Sequence, residues 1–356
     1  MKSQPRLLGI DLLRILAIFG VIVLHSDSGT RVISWSWQLV RCFFGFAVPF
    51  FLATSFYLAV SKSKQRRLQF NSRLRRLLLP YFVWSILYLF YKFAKYFIEG
   101  DTEKLSFLFL DPLGLIFCGN SAIHLYFLPL LLWGTIIVKV IEIVNFHKLS
   151  LKVSIIGFIV SFFIHDLIIL SGNGFRIFIG TAFNDWFPQV QATSMLRLLL
   201  VFFAWSFWCA SYIFAAKIAH HPQVGPVVCS LKPKAIFLLT IGFTTFTLID
   251  LNFYDTPIFE VIRGYIILLI AINLSKYLKG NKIITNLSRC SFGIYFIHLI
   301  FIELIYIIGI RLAPKLFLSP SITVYLAISC VVFLLSWIST QLFLVNKRTA
   351  SLFLGY

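Results

Sequence analysis

Long apolar stretches recur along almost the whole of this 356-residue chain. A helix needs about 20 apolar residues to cross the roughly 30 Å of hydrocarbon in a bilayer, and about ten stretches reach that length. A soluble fold would expose much of this apolar surface to water, which lipid does not require. The sequence therefore predicts an all-α fold, a polytopic integral membrane helical bundle with about ten transmembrane helices. The predicted spans are residues 7–26, 37–60, 77–98, 123–145, 153–171, 195–216, 235–252, 257–274, 290–311 and 322–345.

Only a few residues separate the predicted spans 235–252 and 257–274, so periodicity leaves a re-entrant hairpin open there. The first stretch is basic and then apolar, like a signal peptide. It lacks a small-residue cleavage site, and Asp11 and Arg14 interrupt it, so we interpret it as a retained first span. The chain shows no internal repeat and no domain boundary, which predicts a single transmembrane domain over residues 1–356.

The segments between the predicted spans alternate in charge. Every second segment is basic, and these segments hold 20 Lys and Arg and no acidic residue. The others hold five basic and seven acidic residues. Because basic loops stay on the cytoplasmic side, both termini are predicted to be cytoplasmic. The basic segments are 1–6, 61–76, 145–152, 217–234, 275–289 and 346–356.

This grouping explains the net charge of +19 by topology and by contact with membrane lipid, so no nucleic-acid partner is expected. The longest segments on the predicted outer side are 99–122 and 172–194. They are too short to be domains but long enough to shape a pocket. A plain connecting loop is the other interpretation of each.

Three polar residues of the first span share one face of the predicted helix. Arg14 and His25 are eleven residues apart, a separation that places them at nearly the same angle around the helix axis. Asp11 lies about 40° from His25 around the same axis. His25 lies about 16 Å from Arg14 along the helix axis. Ionisable groups inside a membrane are costly and are functional candidates by default. Polar groups at both ends of one stripe favour a passage across the membrane, although two unrelated contacts would give the same spacing.

A second polar face begins just before the ninth predicted span and continues into it. Ser288, Ser291, Tyr295 and His298 follow one another at helical steps of three and four residues,. Hydrogen bonds between helices would also explain such a face.

An arginine cluster precedes the third predicted span. Arg73, Arg75 and Arg76 stand just before its first apolar residues. Arginine is suited to bidentate phosphate binding. The same cluster would also serve as a positive-inside anchor in contact with anionic lipid.

Five short motifs follow one another along the chain, and their order is specific although each is weak alone. In them the chain resembles the acyltransferase 3 family of membrane O-acyltransferases over nearly its whole length. The motifs are Ile10-Asp11-Leu12-Leu13-Arg14 with His25, Val48-Pro49-Phe50-Phe51 with Ser55, Arg73 and Arg76 before Pro80-Tyr81 and Trp84, His124-Leu125-Tyr126-Phe127-Leu128, and Ser291-Phe292-Gly293-Ile294-Tyr295-Phe296-Ile297-His298.

Two positions depart from the family pattern. Phe56 stands where glycine usually follows the serine of the second motif, which removes backbone freedom there,. Tyr126 stands where the family usually has tryptophan. Both departures concern the fit of the acceptor more than the chemistry.

The resemblance implies transfer of an acyl group, usually acetyl, from cytoplasmic acyl-CoA to a sugar hydroxyl. The acceptor would be a surface polysaccharide or a lipid-linked sugar on the outer side of the membrane. The implied location is the bacterial inner membrane, with polysaccharide biosynthesis machinery as a partner. Acetyl-CoA or another acyl-CoA is implied as donor substrate, and no bound cofactor is implied. The six cysteines include no CxxC pair, so no metal site is expected,.

The resemblance also implies roles for individual residues. Arg73 and Arg76, with Arg14, would hold the phosphates of the donor, whose long arm would extend towards His25. His25 would act as general base on the sugar hydroxyl, or would carry the acyl group as an acyl-imidazole. Asp11 would belong to the donor side by acting on Arg14. The acceptor or pocket candidates are His124, expected at the outer level, with Ser55, Ser291, Tyr295 and His298.

Two other functions fit the sequence. A transporter or flippase for a glycan or lipid precursor would also have about ten spans and scattered intramembrane charge. The sequence lacks the internal repeat and the paired Gly/Pro-broken spans that transporters often show. A structural partner of a polysaccharide synthase is the third possibility.

Overall fold

The computed structural model describes residues 6–27, 34–64, 69–109, 111–143, 149–170, 194–253, 258–318 and 320–356. Sixteen helices and no β-strand lie within these ranges, which confirms the all-α prediction. The helices are α1 Leu8–His25, α2 Trp35–Phe44, α3 Ala47–Lys64, α4 Phe70–Glu99, α5 Thr102–Phe107, α6 Pro112–Phe117, α7 Phe127–Ile143, α8 Leu151–Leu170, α9 Ser194–Ala219, α10 Gly225–Val228, α11 Pro233–Phe253, α12 Ile258–Leu274, α13 Lys282–Leu312, α14 Pro314–Leu318, α15 Ile322–Val345 and α16 Lys347–Leu354.

Among the described residues, seven helical segments are long and apolar enough to cross a membrane. The other predicted spans correspond to α7 and α12, with 17 residues each, and to α11, whose apolar part is Pro233–Ile249. The chain is therefore a multi-pass membrane protein, while the count of ten and the orientation stay predictions. The seven segments are Leu8–His25, Trp35–Ser63, Phe70–Glu99, Leu151–Ile168, Leu198–Ala219, Lys282–Leu312 and Ile322–Val345.

The contacts between helices divide the chain into two compact units. The first unit comprises Met1–Thr54 and Pro222–Asn346, and the second comprises Ser55–His221 and Lys347–Tyr356. Each unit therefore combines segments that are far apart in the sequence. One domain over residues 1–356 stays the prediction from sequence.

Helix α1 is central to the first unit. It packs against α12, α13 and α15, and Ala17, Ile18 and Ile22 along it are fully buried. The predicted second span, 37–60, is divided by a turn at Gly45, whose amide donates to Cys42 O at 3.2 Å and ends α2. Hydropathy does not detect this break, because the residues on both sides of the turn are apolar.

The second unit is built on the 30-residue helix α4 and on the packing of α8 against α9. Helix α4 begins at Phe70, seven residues before the predicted span. The basic residues of its first turns do not interrupt the helix, because backbone hydrogen bonds need no apolar side chains. Residues 171–193, which hold nearly all of the predicted segment 172–194, lie outside the described residues.

Residues 100–109 and 111–126, here called the return segment, fold back along α4. Lys104 Nζ lies 5.7 Å from the centre of the Tyr96 ring. Further along the segment, Tyr81 Oη donates a hydrogen bond to Ile116 O at 2.8 Å. Tyr81 is fifteen residues before Tyr96, so the segment travels about 22 Å along the helix at 1.5 Å per residue.

The later part of the return segment buries polar side chains and exposes some apolar ones. Asp111, Ser121 and His124 are buried, whereas Ile116 and Ile123 are about half exposed. Exposed apolar side chains beside buried polar ones are compatible with contact to lipid. Irregular backbone is tolerated at membrane depth where protein surrounds it, so this segment forms part of the bundle.

Gly119 makes the turn of the return segment possible. Its φ is +78°, a conformation that glycine adopts without a steric penalty,. A Cβ atom at this position would also overlap the peptide that joins Leu125 and Tyr126. Both facts favour glycine here and keep the segment close to the beginning of α7.

Candidate functional site

Asp11 is the centre of a buried polar cluster in the first unit. Its side chain forms an ion pair with Arg6 and lies 3.9 Å from Arg14 Nη1. Ser288 Oγ donates to Asp11 Oδ1 at 2.7 Å, which joins α1 to α13. The Asp11 side chain is only 4% exposed and needs such partners, because burial of an unpaired charge is strongly unfavourable,.

The oxygens of Asp11 therefore bind groups of the protein itself. Arg14 keeps 32% of its side chain exposed and so retains surface for another ligand. Asp11 thus lies within ion-pair distance of Arg14, and the role of both residues towards a donor stays a prediction.

His25 and His298 lie side by side at the other end of α1. Their ring centroids are 5.5 Å apart with an angle of 37° between the planes. His298 is fully buried, and its Nδ1 lies 2.7 Å from Tyr295 O. A carbonyl oxygen only accepts, so Nδ1 carries the proton and, in the neutral ring, Nε2 is the basic nitrogen.

The residues just after His25 are also held in place by contacts with other helices. Tyr306 Oη donates to Ser26 O at 2.7 Å, which joins the end of α1 to α13 a second time. Asp27 forms an ion pair with Arg41 and accepts a bond from Trp37 Nε1 at 3.4 Å. These contacts restrict the position of His25.

The sequence did not identify Trp37 and Tyr306 as site residues, nor Tyr325, whose ring stacks on Trp37 at 4.5 Å. Arg41 lies inside the second predicted span and Asp27 just after the first, and neither was identified as a site residue from the sequence. The two residues lie on either side of residues 28–33 in the sequence, and no spacing rule predicts that they pair.

The predicted polar face of α13 is partly engaged with α1. Ser288 bonds Asp11, and His298 contacts His25. Ser291 Oγ instead donates to Ser288 O at 2.8 Å, within its own helix. Tyr295 is buried and contributes its backbone oxygen to His298.

The contacts of α1 with α13 show that the two helices run in the same direction. Asp11 meets Ser288, His25 meets His298, and Ser26 meets Tyr306, in the same order along both helices. If the chain crosses the membrane an even number of times between the starts of two helices, those two helices must run in the same direction. The predicted first and ninth spans satisfy that condition.

The other candidates lie in the second unit. Arg73 is half-buried and Arg76 exposed on the first turns of α4, and Arg76 Cζ lies 5.5 Å from the centre of the Tyr356 ring. Ser55 is half-buried on α3.

His124 is buried, and its ring meets the edge of Tyr88 at 5.2 Å. Tyr88 is eleven residues before Glu99, so His124 lies about 16 Å along α4 from the end of that helix. It therefore lies beside the middle of α4, and its level in the membrane stays a prediction from sequence.

Within the described ranges, no group of three or more His, Cys, Asp or Glu side chains is placed to hold a metal ion. In the first unit the polar groups form two clusters instead, a buried carboxylate with arginines at one end of α1 and two imidazoles at the other. The arginine end is suited to an anion, and the imidazole end to proton transfer.

A family model described as an acyltransferase domain matches residues 7–341 of the chain. The match includes both clusters on α1, the arginines of α4, the return segment and the histidine of α13. The chain has no significant match among curated proteins or among solved structures. The extent of the family match, over more than nine-tenths of the 356 residues, shows that this membrane protein belongs to the acyltransferase 3 family.

Proposed function

We propose that the protein transfers an acyl group, preferably acetyl, from cytoplasmic acyl-CoA to a hydroxyl of a surface polysaccharide or lipid-linked sugar at the outer side of the membrane. The observation that carries this proposal is the contact between His25 and His298 in a chain of the acyltransferase family. Two imidazoles lie at one end of α1, where buried contacts hold them. Imidazoles can accept and donate the proton that the sugar hydroxyl loses when the ester forms.

His25 acts as the general base. It removes the proton of the sugar hydroxyl as the oxygen attacks the thioester carbonyl, because the hydroxyl is a poor nucleophile while protonated. The carbon–sulfur bond then breaks, and the thiolate leaves with the proton from His25 as free CoA. His298 contacts the His25 ring and restricts its orientation. A direct transfer needs one step fewer than an acyl-imidazole intermediate.

The donor's phosphates bind arginines at the cytoplasmic side. Arg73 and Arg76 at the start of α4 supply planar donors that match phosphate oxygens. Arg14, restrained by Asp11, contributes at the start of α1. The stripe from Arg14 to His25 is about 16 Å long, and the donor's thin arm would follow it to bring the thioester to the histidine.

The acceptor sugar binds on the opposite side, near His25. The pocket candidates are Ser291 and Tyr295 in the first unit and Ser55 and His124 in the second, and Phe56 and Tyr126 are proposed to affect acceptor fit. The orientation we propose has ten spans with both termini in the cytoplasm, supported by the alternation of basic segments and by the parallel packing of α1 and α13. The proposed location is the bacterial inner membrane, next to polysaccharide biosynthesis machinery.

The purified protein in proteoliposomes tests the proposal with acetyl-CoA labelled in the acetyl group. We expect the label to appear in an ester of an added lipid-linked or oligosaccharide acceptor, and to be released by mild alkali. Surface glycans of a deletion strain should lose the same ester. Unchanged ester content in that strain, with no transfer in the liposomes, would refute the proposal.

A further inference from the structure

The C-terminal helix α16 packs along the first half of α4 in the second unit. Trp84 Nε1 donates to Phe353 O at 2.9 Å, and the two rings lie 5.9 Å apart. Leu354 on the same helix is fully buried. A hydrogen bond and a ring contact thus fix the position of α16 on α4, although the two helices are more than 240 residues apart in sequence.

Gly355 brings the end of the chain onto Arg76. Its φ is +69°, and a Cβ atom there would overlap the carbonyl group of Arg76. Since the neighbouring atoms belong to backbone, a side chain at 355 would push the end of α16 away from α4. The close approach delivers the next residue, Tyr356, to the arginine side chain.

The ring of Tyr356 lies under the guanidinium of Arg76, with 5.5 Å from Cζ to the ring centre. This distance is within the range of a cation–π interaction, in which the cation lies over the face of the ring. Such a contact does not pair the N–H groups with an acceptor atom, so the guanidinium can still donate to phosphate oxygens. Arg76 is exposed, as a residue that binds a soluble ligand must be.

We propose that Gly355 and Tyr356 are positioning residues of the donor site, which hold the Arg76 guanidinium ready for the phosphate groups of acyl-CoA. This inference rests on the proposed role of Arg76 in donor binding. A cation that is already restrained loses less conformational entropy when it binds an anion, so affinity for the donor is higher. The reacting groups are untouched, so the effect falls on binding and not on turnover.

Tyr356→Leu tests the proposal in full-length protein reconstituted in proteoliposomes. We expect KM for acetyl-CoA to rise about two- to fivefold, as loss of an exposed cation–π contact implies, with kcat unchanged. Tyr356→Phe keeps the ring and should retain the wild-type KM. Gly355→Ala should raise KM at least as much as Tyr356→Leu. Binding of CoA alone, measured by calorimetry, should weaken by the same factor.

Tyr277→Leu is the matched control, because Tyr277 is an exposed tyrosine of the first unit. A double variant gives the sharper test. In an Arg76→Ala background, Tyr356→Leu should have no further effect, because it acts through that arginine. An additive loss in the double variant, or a wild-type KM in Tyr356→Leu, would overturn the positioning role. The role of Arg76 itself is decided separately, by whether Arg76→Ala alone weakens CoA binding.

Discussion

His298 holds its imidazole 5.5 Å from that of His25, with Nδ1 turned to the backbone oxygen of Tyr295. One histidine is thus fixed by its own helix, and the other rests against it from α1. If His25 is the base, His25→Ala should lower acyl transfer by about 10²- to 10⁴-fold. His298→Ala should lower kcat less, because the base remains but is less well oriented. Initial rates in proteoliposomes measure both.

His165→Ala is the matched control for loss of a buried histidine. His165 is buried on α8 and stacks on Trp208 at 5.4 Å in the second unit. We expect it to lower thermal stability with little change in the rate per folded molecule. Normal transfer by His25→Ala at a normal membrane level would contradict the base role.

Loss of two arginines should weaken donor binding without changing topology. Arg73→Ala combined with Arg76→Ala should raise KM for acetyl-CoA about tenfold or more, because each charge-assisted hydrogen bond to phosphate contributes about 1.5–3 kcal/mol. Orientation should survive, since the segment 61–76 keeps five other basic residues. Lys232→Ala with Lys234→Ala removes two exposed cations elsewhere and should leave KM unchanged. An equal rise in both double variants would indicate a general charge effect.

Removal of the Ser288 hydroxyl should destabilise the first unit. Ser288→Ala leaves an oxygen of the buried Asp11 carboxylate without this donor, which costs about 1–3 kcal/mol,. The thermal unfolding midpoint in detergent should fall, and KM for the donor should rise as Arg14 loses its restraint. Ser329→Ala is the control, because that buried hydroxyl bonds within its own helix. Equal midpoints for the two variants would argue against the role of Ser288.

The turn at Gly119 should not tolerate alanine. Gly119→Ala adds about 1–3 kcal/mol of backbone strain and forces Leu125 and Tyr126 apart,. We expect a lower unfolding midpoint and faster proteolysis between α4 and α7. Gly242→Ala, at a helical glycine with open space around it, should be neutral or stabilise by up to about 1 kcal/mol,. A stable Gly119→Ala variant would show that the return segment adopts another path.

Single cysteines test the predicted orientation after the native cysteines are replaced by alanine. Lys104→Cys should react with an impermeant maleimide in intact cells, because it lies on the predicted outer side. Lys279→Cys, in a basic segment, should react only after the membrane is opened. Both lysines are exposed, so access within the protein is comparable. Labelling of Lys279→Cys in intact cells would reverse the topology.

The helical structure of the spans and their approximate positions could be predicted from hydropathy, because an apolar run of span length can adopt few structures other than a helix in lipid. The residues at which the helices begin and end could not be predicted in this way. Helix α13 begins at Lys282, eight residues before the predicted span, where Asn281 accepts the amides of Ile283 and Ile284. A polar cap and a basic first turn extend a helix into the interface, and an apolar window does not detect them.

The ends of the α1 stripe could be predicted, but their partners could not. Helical periodicity aligns Arg14 with His25, because both lie on one rigid element. The partners Ser288 and His298 are more than 270 residues away, and their approach depends on packing between helices. The position of His124 along α4 could not be predicted for a related reason, since the path of the return segment is set by contacts with Tyr81 and Tyr88.

The return segment also limits where a tag can be inserted into this protein. Surface loops usually accept inserted tags, because few contacts depend on them. In the return segment, the exposed stretch around Gly100 to Glu103 is suited to such an insertion, because no atom lies close to the glycine. Beyond Asp111 the backbone lies against the middle of α4 and begins α7 from within the bundle. An epitope inserted there would separate two helices rather than lengthen a loop.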